Sequence, residues 1–323
     1  MKIKDKVYGE CEINEAVLIE LINSKAIQRL KKVTQQGVPL KYNPQPYFTR
    51  YNHSIGVMLL LRRLGASIKE QIAGLIHDMS HPAFSHLTDW VFGDPKIQGH
   101  QDDNFVEVFN NSDVPDILRK YGFNASDFYE LEKYSLLETP SPNLCADRID
   151  NTLRDIAARG GKVMSNFILE HLIVFEHLIV FDSLSVAHIF AQEYKALQFH
   201  NWGDDRNCIM FQLFANVLKT AMNEGIIHKD DLFESESSIV YKLENSNSEE
   251  ILKLLDLLKK GFRIDYVNRG GFEIRCKFRF IDPKILHNGD ISKLSELIPS
   301  YKDQLDLYKS HFEEIRFAEV HPR

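Results

Sequence analysis

The sequence predicts a mostly α protein: a helical N-terminal body followed by a C-terminal α+β lobe carrying a small antiparallel sheet. Three observations predict it. Apolar residues recur at helical spacing through the first half of the chain. The tandem hexamers HLIVFE and HLIVFD break that pattern near residue 171. FEIRCKFRFID, from residue 272, alternates apolar with charged residues. The 323 residues suffice for two lobes, placed at 1–165 and 166–323.

The elements follow in order. Residues 1–11 read as a short strand or extended arm. With Asn14 as N-cap, Val17, Leu18, Leu21 and Ile22 form one apolar helical face. A second helix is predicted over 25–36, ending near Gly37. GVPLKYNPQPYFTRYN carries three prolines and reads as a loop. His53 opens the apolar stretch HSIGVMLLLRRLG. Ser67 caps the next helix, and Glu70 completes a capping-box pattern. Pro82 redirects the chain just after His81. SPNLCADRIDNTLRDIAARGG is a helix stopped by Gly160 and Gly161, and its spacing puts Asp147, Asp150/Asn151 and Arg154/Asp155 on one face.

In the second half, an even-numbered repeat rich in Ile, Val and Phe favours two strands at 171–182, with His171 and His177 on strand faces. A long helical region over 185–223 is interrupted near Trp202. ILKLLDLLKK is a packing helix. FEIRCKFRFID is a strand with Phe272, Ile274, Cys276, Phe278 and Phe280 on one face. Arg275, Lys277 and Arg279 lie on the other, a solvated surface. A final helix covers 300–317.

Composition excludes several classes. No apolar run reaches the ~18–20 residues needed to span a bilayer, and the N-terminus has no signal-peptide core. Cys11, Cys145, Cys208 and Cys276 are far apart, so neither a disulfide framework nor a structural zinc site is expected. A cytoplasmic or other reducing compartment is. The net charge of −7 argues against bulk nucleic-acid binding.

The histidines are uneven. Five of 13, namely His53, His77, His81, His86 and His100, fall between residues 53 and 100. Imidazoles clustered among carboxylates suggest a metal or acid–base site. His53, His77, Asp78 and Asp147 form an H…HD…D pattern, two nitrogen and two oxygen donors. Such a mixed set suits Fe, Mn, Zn, Co, Ni or Mg. A divalent ion there would lower the pKa of water and stabilise developing phosphoryl charge.

AIQRLKKVTQQG, RYNHSIGV, QIAGLIHDMSHPAFSH and ADRIDNTLRD, with RFIDPKIL more weakly, carry a resemblance. At these residues the sequence resembles the HD-domain metal-dependent phosphohydrolases, and within them the deoxynucleoside triphosphohydrolase branch. The resemblance covers about half the chain. It implies a helical HD-domain core, metal ligands at His53, His77, Asp78 and Asp147, and a homo-oligomer. It also implies catalytic roles for His81, His86 and His100, with a protonated imidazole serving the leaving oxygen. Arg50 and Arg148 match phosphate contacts, Gln35 and Asp155 match residues near the sugar hydroxyl, and Asn151 replaces an aromatic residue beside the sugar.

Two further departures stand out. Gln101 follows His100 where the family has Glu. FHNWGDDRNCIMFQ lacks the family's Arg and Tyr for the outer phosphates, with Arg206 as its nearby cation. The expected substrate is a deoxynucleoside triphosphate, cleaved to deoxynucleoside and tripolyphosphate. The competing expectations are a phosphomonoesterase acting on nucleoside monophosphates or other small phosphate esters, and a weakened nucleotide-binding protein.

Overall fold

A computed structural model describes residues 1–94 and 100–323, with all side chains except those of residues 100–102. His100 and Gln101 begin the helix His100–Asn110, and their side chains lie outside the described residues. The architecture is the predicted one, mostly helical with small sheets.

The chain opens with a hairpin of β1 (Lys2–Asp5) and β2 (Gly9–Glu12). Asp5 closes it by accepting from the Val7 and Tyr8 amides at 2.8 and 3.1 Å. The helix Ala16–Ile22 buries the four predicted apolar residues, with Glu15 rather than Asn14 at its N-cap. The predicted helix over 25–36 is shorter. It runs Lys25–Arg29, tightens to a 3-10 turn at Leu30–Lys32, and gives way to an extended bridge between Thr34 and Thr49.

Three helices frame the site. Arg50–Arg63 starts at a capping box between Thr49 and Asn52. Ile68–Ile76 is capped by Ser67, as predicted. Glu70 does not turn back to close a capping box there. Its carboxylate accepts from the Leu136 and Leu137 amides at 2.8 and 3.3 Å, which brings the 131–145 segment alongside. Ala146–Ala158 then packs across Arg50–Arg63.

The duplicated hexamer forms a hairpin of β3 (Leu172–Phe175) and β4 (Leu178–Phe181). Glu176 and His177 both have positive φ, 47° and 63°, the two-residue turn whose twist suits a hairpin. His177 is therefore in the turn, and His171 precedes β3, where its ring bonds Asp182 at 2.7 Å. Neither sits on a strand face. The helical region beyond is broken where predicted: Leu184–Leu197, a π turn at Gln198–Trp202, then Asp205–Asn223.

The last third departs most from expectation. β5 (Phe262–Val267) and β6 (Phe272–Ile274) flank β9 (Arg316–Pro322) in an antiparallel sheet. β7 (Lys284–His287) and β8 (Asp290–Lys293) extend the β3–β4 hairpin. The strand expected through Phe280 ends at Ile274, and residues 275–283 run irregularly. The last helix is Pro299–Glu313, stopping short of 317 because the chain turns into β9.

Two apolar cores result. One joins the first helices to Leu184–Leu197 and to Ile281, Ile285 and Tyr301. The other gathers Asp205–Asn223, Glu236–Glu244 and the β5–β9–β6 sheet around Val38, Tyr42, Ala83, Phe84 and Leu87. Cys208 and Cys276 are joined by a disulfide in this second core. The expectation of no disulfide is thus corrected: packing brings together two cysteines 68 residues apart in sequence. Among the described residues, no helix is long and apolar enough to cross a membrane.

Candidate functional site

The site lies where the Ile68–Ile76 helix ends against Arg50–Arg63 and Ala146–Ala158. His77 is the C-cap residue, still with helical dihedrals, and Asp78 follows it in the turn where the helix has ended. His53, His77 and Asp147 each offer a donor atom within 4.8 Å of the others. Asp78 lies beside them, its oxygens 3.7 Å from His53 Nε2 and 3.5 Å from His77 Nε2. All four predicted metal-ligand positions are therefore brought together.

The donor set fits a divalent ion. His77 Nδ1 donates to the Gly74 carbonyl at 2.8 Å, and His53 Nδ1 donates to Asp150 Oδ2 at 2.7 Å. These bonds hold the proton on Nδ1 in both rings, so that Nε2, the atom nearest Asp147, is the one that becomes a ligand when its own proton is displaced by an ion. Burial alone would lower the His53 pKa. Hydrogen bonds to Asp147 and Asp150 and the charge of Asp78 raise it instead, to about 9. Asp78 and Asp147, despite burial, are held well below the usual carboxylate range by Arg50 and the imidazoles. Both carboxylates are therefore ionised, the form in which they can serve as metal ligands.

A buried network behind His53 was not read from the sequence. Asp150 accepts from Arg154 Nε at 2.7 Å and from the Tyr8 hydroxyl at 2.7 Å, while Arg154 Nη2 donates to Asp5 at 2.8 Å. The helical spacing had grouped Asp150 and Arg154 with the cavity-facing residues. They turn instead toward His53 and the N-terminal hairpin, while Asp147, Asn151 and Asp155 line the cavity. The i, i+4 carboxylate–guanidinium spacing was the available signal.

Arg29 was also missed. Its Nη2 donates to the Met79 and His81 carbonyls at 2.8 and 2.7 Å, clasping the turn after the His77–Asp78 pair. That turn continues through Phe84 and Ser85, both with positive φ (69° and 50°), strain that surrounding bonds must maintain. The Glu236 carboxylate does so from the second half of the chain, accepting from the Phe84 amide at 3.2 Å and the Thr34 amide at 2.7 Å.

Burial pushes the Glu236 carboxyl up to about 7 from 4.5, against the lowering effect of its donors and Arg50. The folded state then keeps this proton between those values while the unfolded chain releases it. The stability this provides is complete below pH 4.5 and lost as the pH rises through about 7. Glu236→Gln should remove up to ~3 kcal/mol of that decline. Chemical denaturation at pH 5 and pH 8 checks it, and equal pH slopes for both proteins would refute it.

Arg50 is not on the surface. It is buried, donating Nη1 to Asp78 at 2.7 Å and Nε to Ser85 at 3.0 Å, while its Nη2 has no protein partner. His81 Nε2 stands 3.3 Å from Asp78, and its Nδ1 is likewise buried without a partner. Burial and Arg50 push His81 down to about 3, so the expected protonated imidazole is not His81 at rest. His86 packs edge-on against His81 at 5.0 Å, and burial lowers its pKa although Asp89 opposes the shift.

These groups open into one cavity of about 670 Å³. Gln35 Nε2 donates to Asn151 at 3.2 Å, and the Trp202 indole donates to Asp155 at 2.9 Å. Burial raises Asp155 to about 6. Gln35 Oε1 and Asp155 Oδ1 are buried without protein partners. Arg148 lines the cavity while bracing its wall by donating to the Asn143 and Thr139 carbonyls. Arg206, the cation expected nearby, turns away to the Phe262 carbonyl and ring. Lys277 and Arg279, expected on a solvated sheet face, line the cavity instead.

Comparison with known proteins agrees with this geometry. The HD domain family matches residues 50–153. The uncharacterised protein YdhJ of Bacillus subtilis is 38% identical over 289 residues, 88% of each chain. The metal-dependent phosphohydrolase cns2 of Cordyceps militaris is 29% identical over 320 residues, 95% of this chain and 91% of that one. In fold, the crystal structure of the phosphohydrolase BT4208 from Bacteroides thetaiotaomicron superposes with a TM-score of 0.70 at 16% identity, over 92% of this chain and 94% of that one. With His53, the His77–Asp78 pair and Asp147 converging inside the matched span, the chain belongs to the HD-domain metal-dependent phosphohydrolases.

Proposed function

We propose that this phosphohydrolase acts on deoxynucleoside triphosphates, releasing deoxynucleoside and tripolyphosphate. The observation that carries the reading is the single cavity. It joins the His/Asp cluster to a polar pocket of Gln35, Asn151, Asp155 and Trp202 and to the cations Arg148, Lys277 and Arg279. Its volume of about 670 Å³ lies within the ~300–1,000 Å³ of ligand sites. The motif strings shared with the triphosphohydrolase branch support the same substrate.

His53, His77, Asp78 and Asp147 would hold a divalent ion. Bound there, it supplies an acidified water and charge neutralisation at phosphorus. The chain's own residues do the rest. Arg50 has one arm on Asp78 and the other, Nη2, left to take a phosphate oxygen. Neutral His81, its Nε2–H turned toward Asp78, presents Nδ1 as an acceptor that can take up a proton, with no standing positive charge. His86, partly exposed beside it, and His100 are the remaining imidazoles for proton transfer to the leaving oxygen. Gln35 and Asp155 offer unpartnered oxygens to a sugar hydroxyl.

One observation favours a second reading. The Arg148 guanidinium already binds two backbone carbonyls, which leaves it less able to grip a phosphate and suits a monophosphate ester. A nucleotide panel on metal-reconstituted protein decides. Tripolyphosphate from a deoxynucleoside triphosphate supports the first reading. Orthophosphate from a monophosphate supports the second. Binding without turnover with Mn, Fe, Co, Ni and Mg would overturn both.

A further inference from the structure

The cavity's least expected residues come from the irregular segment that follows β6. A strand partner does not position that segment, yet it is braced at nearly every residue. Cys276 is tied to Cys208 on the Asp205–Asn223 helix. The Lys277 carbonyl accepts from Gln198 Nε2 at 3.0 Å, next to the π turn. Phe278 stacks on Phe280 and on Phe312, each with ring centres 5.2 Å apart. The Phe280 carbonyl accepts from Ser141 Oγ at 2.8 Å, and the Asp282 amide donates to the Pro142 carbonyl at 2.9 Å.

The alternation visible in the sequence is kept only in part, since Phe278 lines the cavity together with its two charged neighbours. Cys276 is buried at the disulfide, Arg275 is exposed and paired with Glu273, and Lys277 and Arg279 face the cavity. Arg279 stands where its charge acts on His86 and Asp89 on one side and on Asp147, Arg148 and Tyr194 on the other. It thus spans the gap between the turn after the His77–Asp78 pair and the Ala146–Ala158 helix.

We propose that Lys277 and Arg279 form a polyphosphate clamp, delivered to the site by the C-terminal lobe in place of cations that the 199–212 segment does not supply. The clamp rests on the nucleotide reading of the cavity and adds to it the residues that select a chain of phosphates over one. Guanidinium takes two oxygens in a fixed fork, and ammonium neutralises a neighbouring phosphate as a point charge. A braced backbone keeps both cations in place before the ligand arrives, so little ordering is lost on binding.

Calorimetric titration of the full chain with inorganic tripolyphosphate and with orthophosphate, each with and without Mg²⁺, tests it. Tripolyphosphate should bind more tightly than orthophosphate. Lys277→Gln and Arg279→Gln should each weaken tripolyphosphate about tenfold and orthophosphate less. Arg275→Gln, outside the cavity, should change neither. Arg279→Lys should recover part of the loss, which separates charge from folding, and melting curves confirm folded protein. Unchanged tripolyphosphate affinity in the double Gln variant, or no tripolyphosphate binding by the wild type, overturns the clamp. Calorimetry that follows the expected pattern in a protein that hydrolyses no deoxynucleoside triphosphate keeps the clamp and removes the substrate reading. Hydrolysis with wild-type KM in the double variant does the reverse.

Discussion

Metal-reconstituted His77→Ala/Asp78→Ala protein should lose phosphoester hydrolysis by at least about 10³-fold, since an ion supplies several kcal/mol of transition-state stabilisation and each 1.36 kcal/mol is about tenfold. The substitutions leave His53 and Asp147, whose Nε2 and Oδ1 are 2.8 Å apart. Two ligands hold a divalent ion far less firmly than four, and half of the donor set is gone. Elemental analysis after dialysis should show the metal content falling with the activity. Asp150→Asn is the milder counterpart: it keeps every ligand while weakening the acceptor on His53 Nδ1 and the bonds from Arg154 and Tyr8. Metal affinity should fall about 10–100-fold. Hydrolysis that survives the double substitution would remove the metal site from the reaction.

Gly56→Ala should destabilise the whole protein by at least about 3 kcal/mol, the cost of breaking a buried ion pair. Gly56 lies one turn after His53 on the Arg50–Arg63 helix, where Ala146–Ala158 crosses closely. A methyl group there would overlap Arg154 Nη2 and Asp150 Oδ1. Those atoms belong to a fully used network, with Arg154 bonded to Asp5 and Asp150 bonded to His53 and Tyr8. Neither side chain can withdraw without leaving a buried charge unpaired. Denaturant titration should show a lower midpoint, and metal affinity should fall with it because His53 loses its support. An unchanged midpoint would mean that the two helices can separate freely, against this packing.

What was legible in the sequence was local. His77 and Asp78 are adjacent, and His81 and His86 follow within one turn of chain. One string therefore carries most of the catalytic pattern. Helices with an apolar stripe, such as Ala16–Ile22, were legible for the same reason. What was illegible depends on partners far away in sequence. Asp5 meets Arg154 149 residues on, and Thr34 meets Glu236 202 residues on. Their spacing carries no periodicity. The 275–283 segment misled differently. Alternating apolar and charged residues describe any extended backbone, whether or not a neighbouring strand exists to pair with it. The pattern correctly grouped Lys277 with Arg279 but could not say whether water or a cavity lay in front of them.

The second apolar core has a consequence for how this protein can be divided. Ala83, Phe84 and Leu87 sit in the turn that carries His81 and His86, yet they pack into the core built by residues between 208 and 318. Glu236 fixes the same turn from that side. A fragment ending near residue 165 would retain the His/Asp cluster but present those side chains, with Val38 and Tyr42, bare to water. The His/Asp residues all lie before residue 150, but the turn beside them is held in place from the other half of the chain.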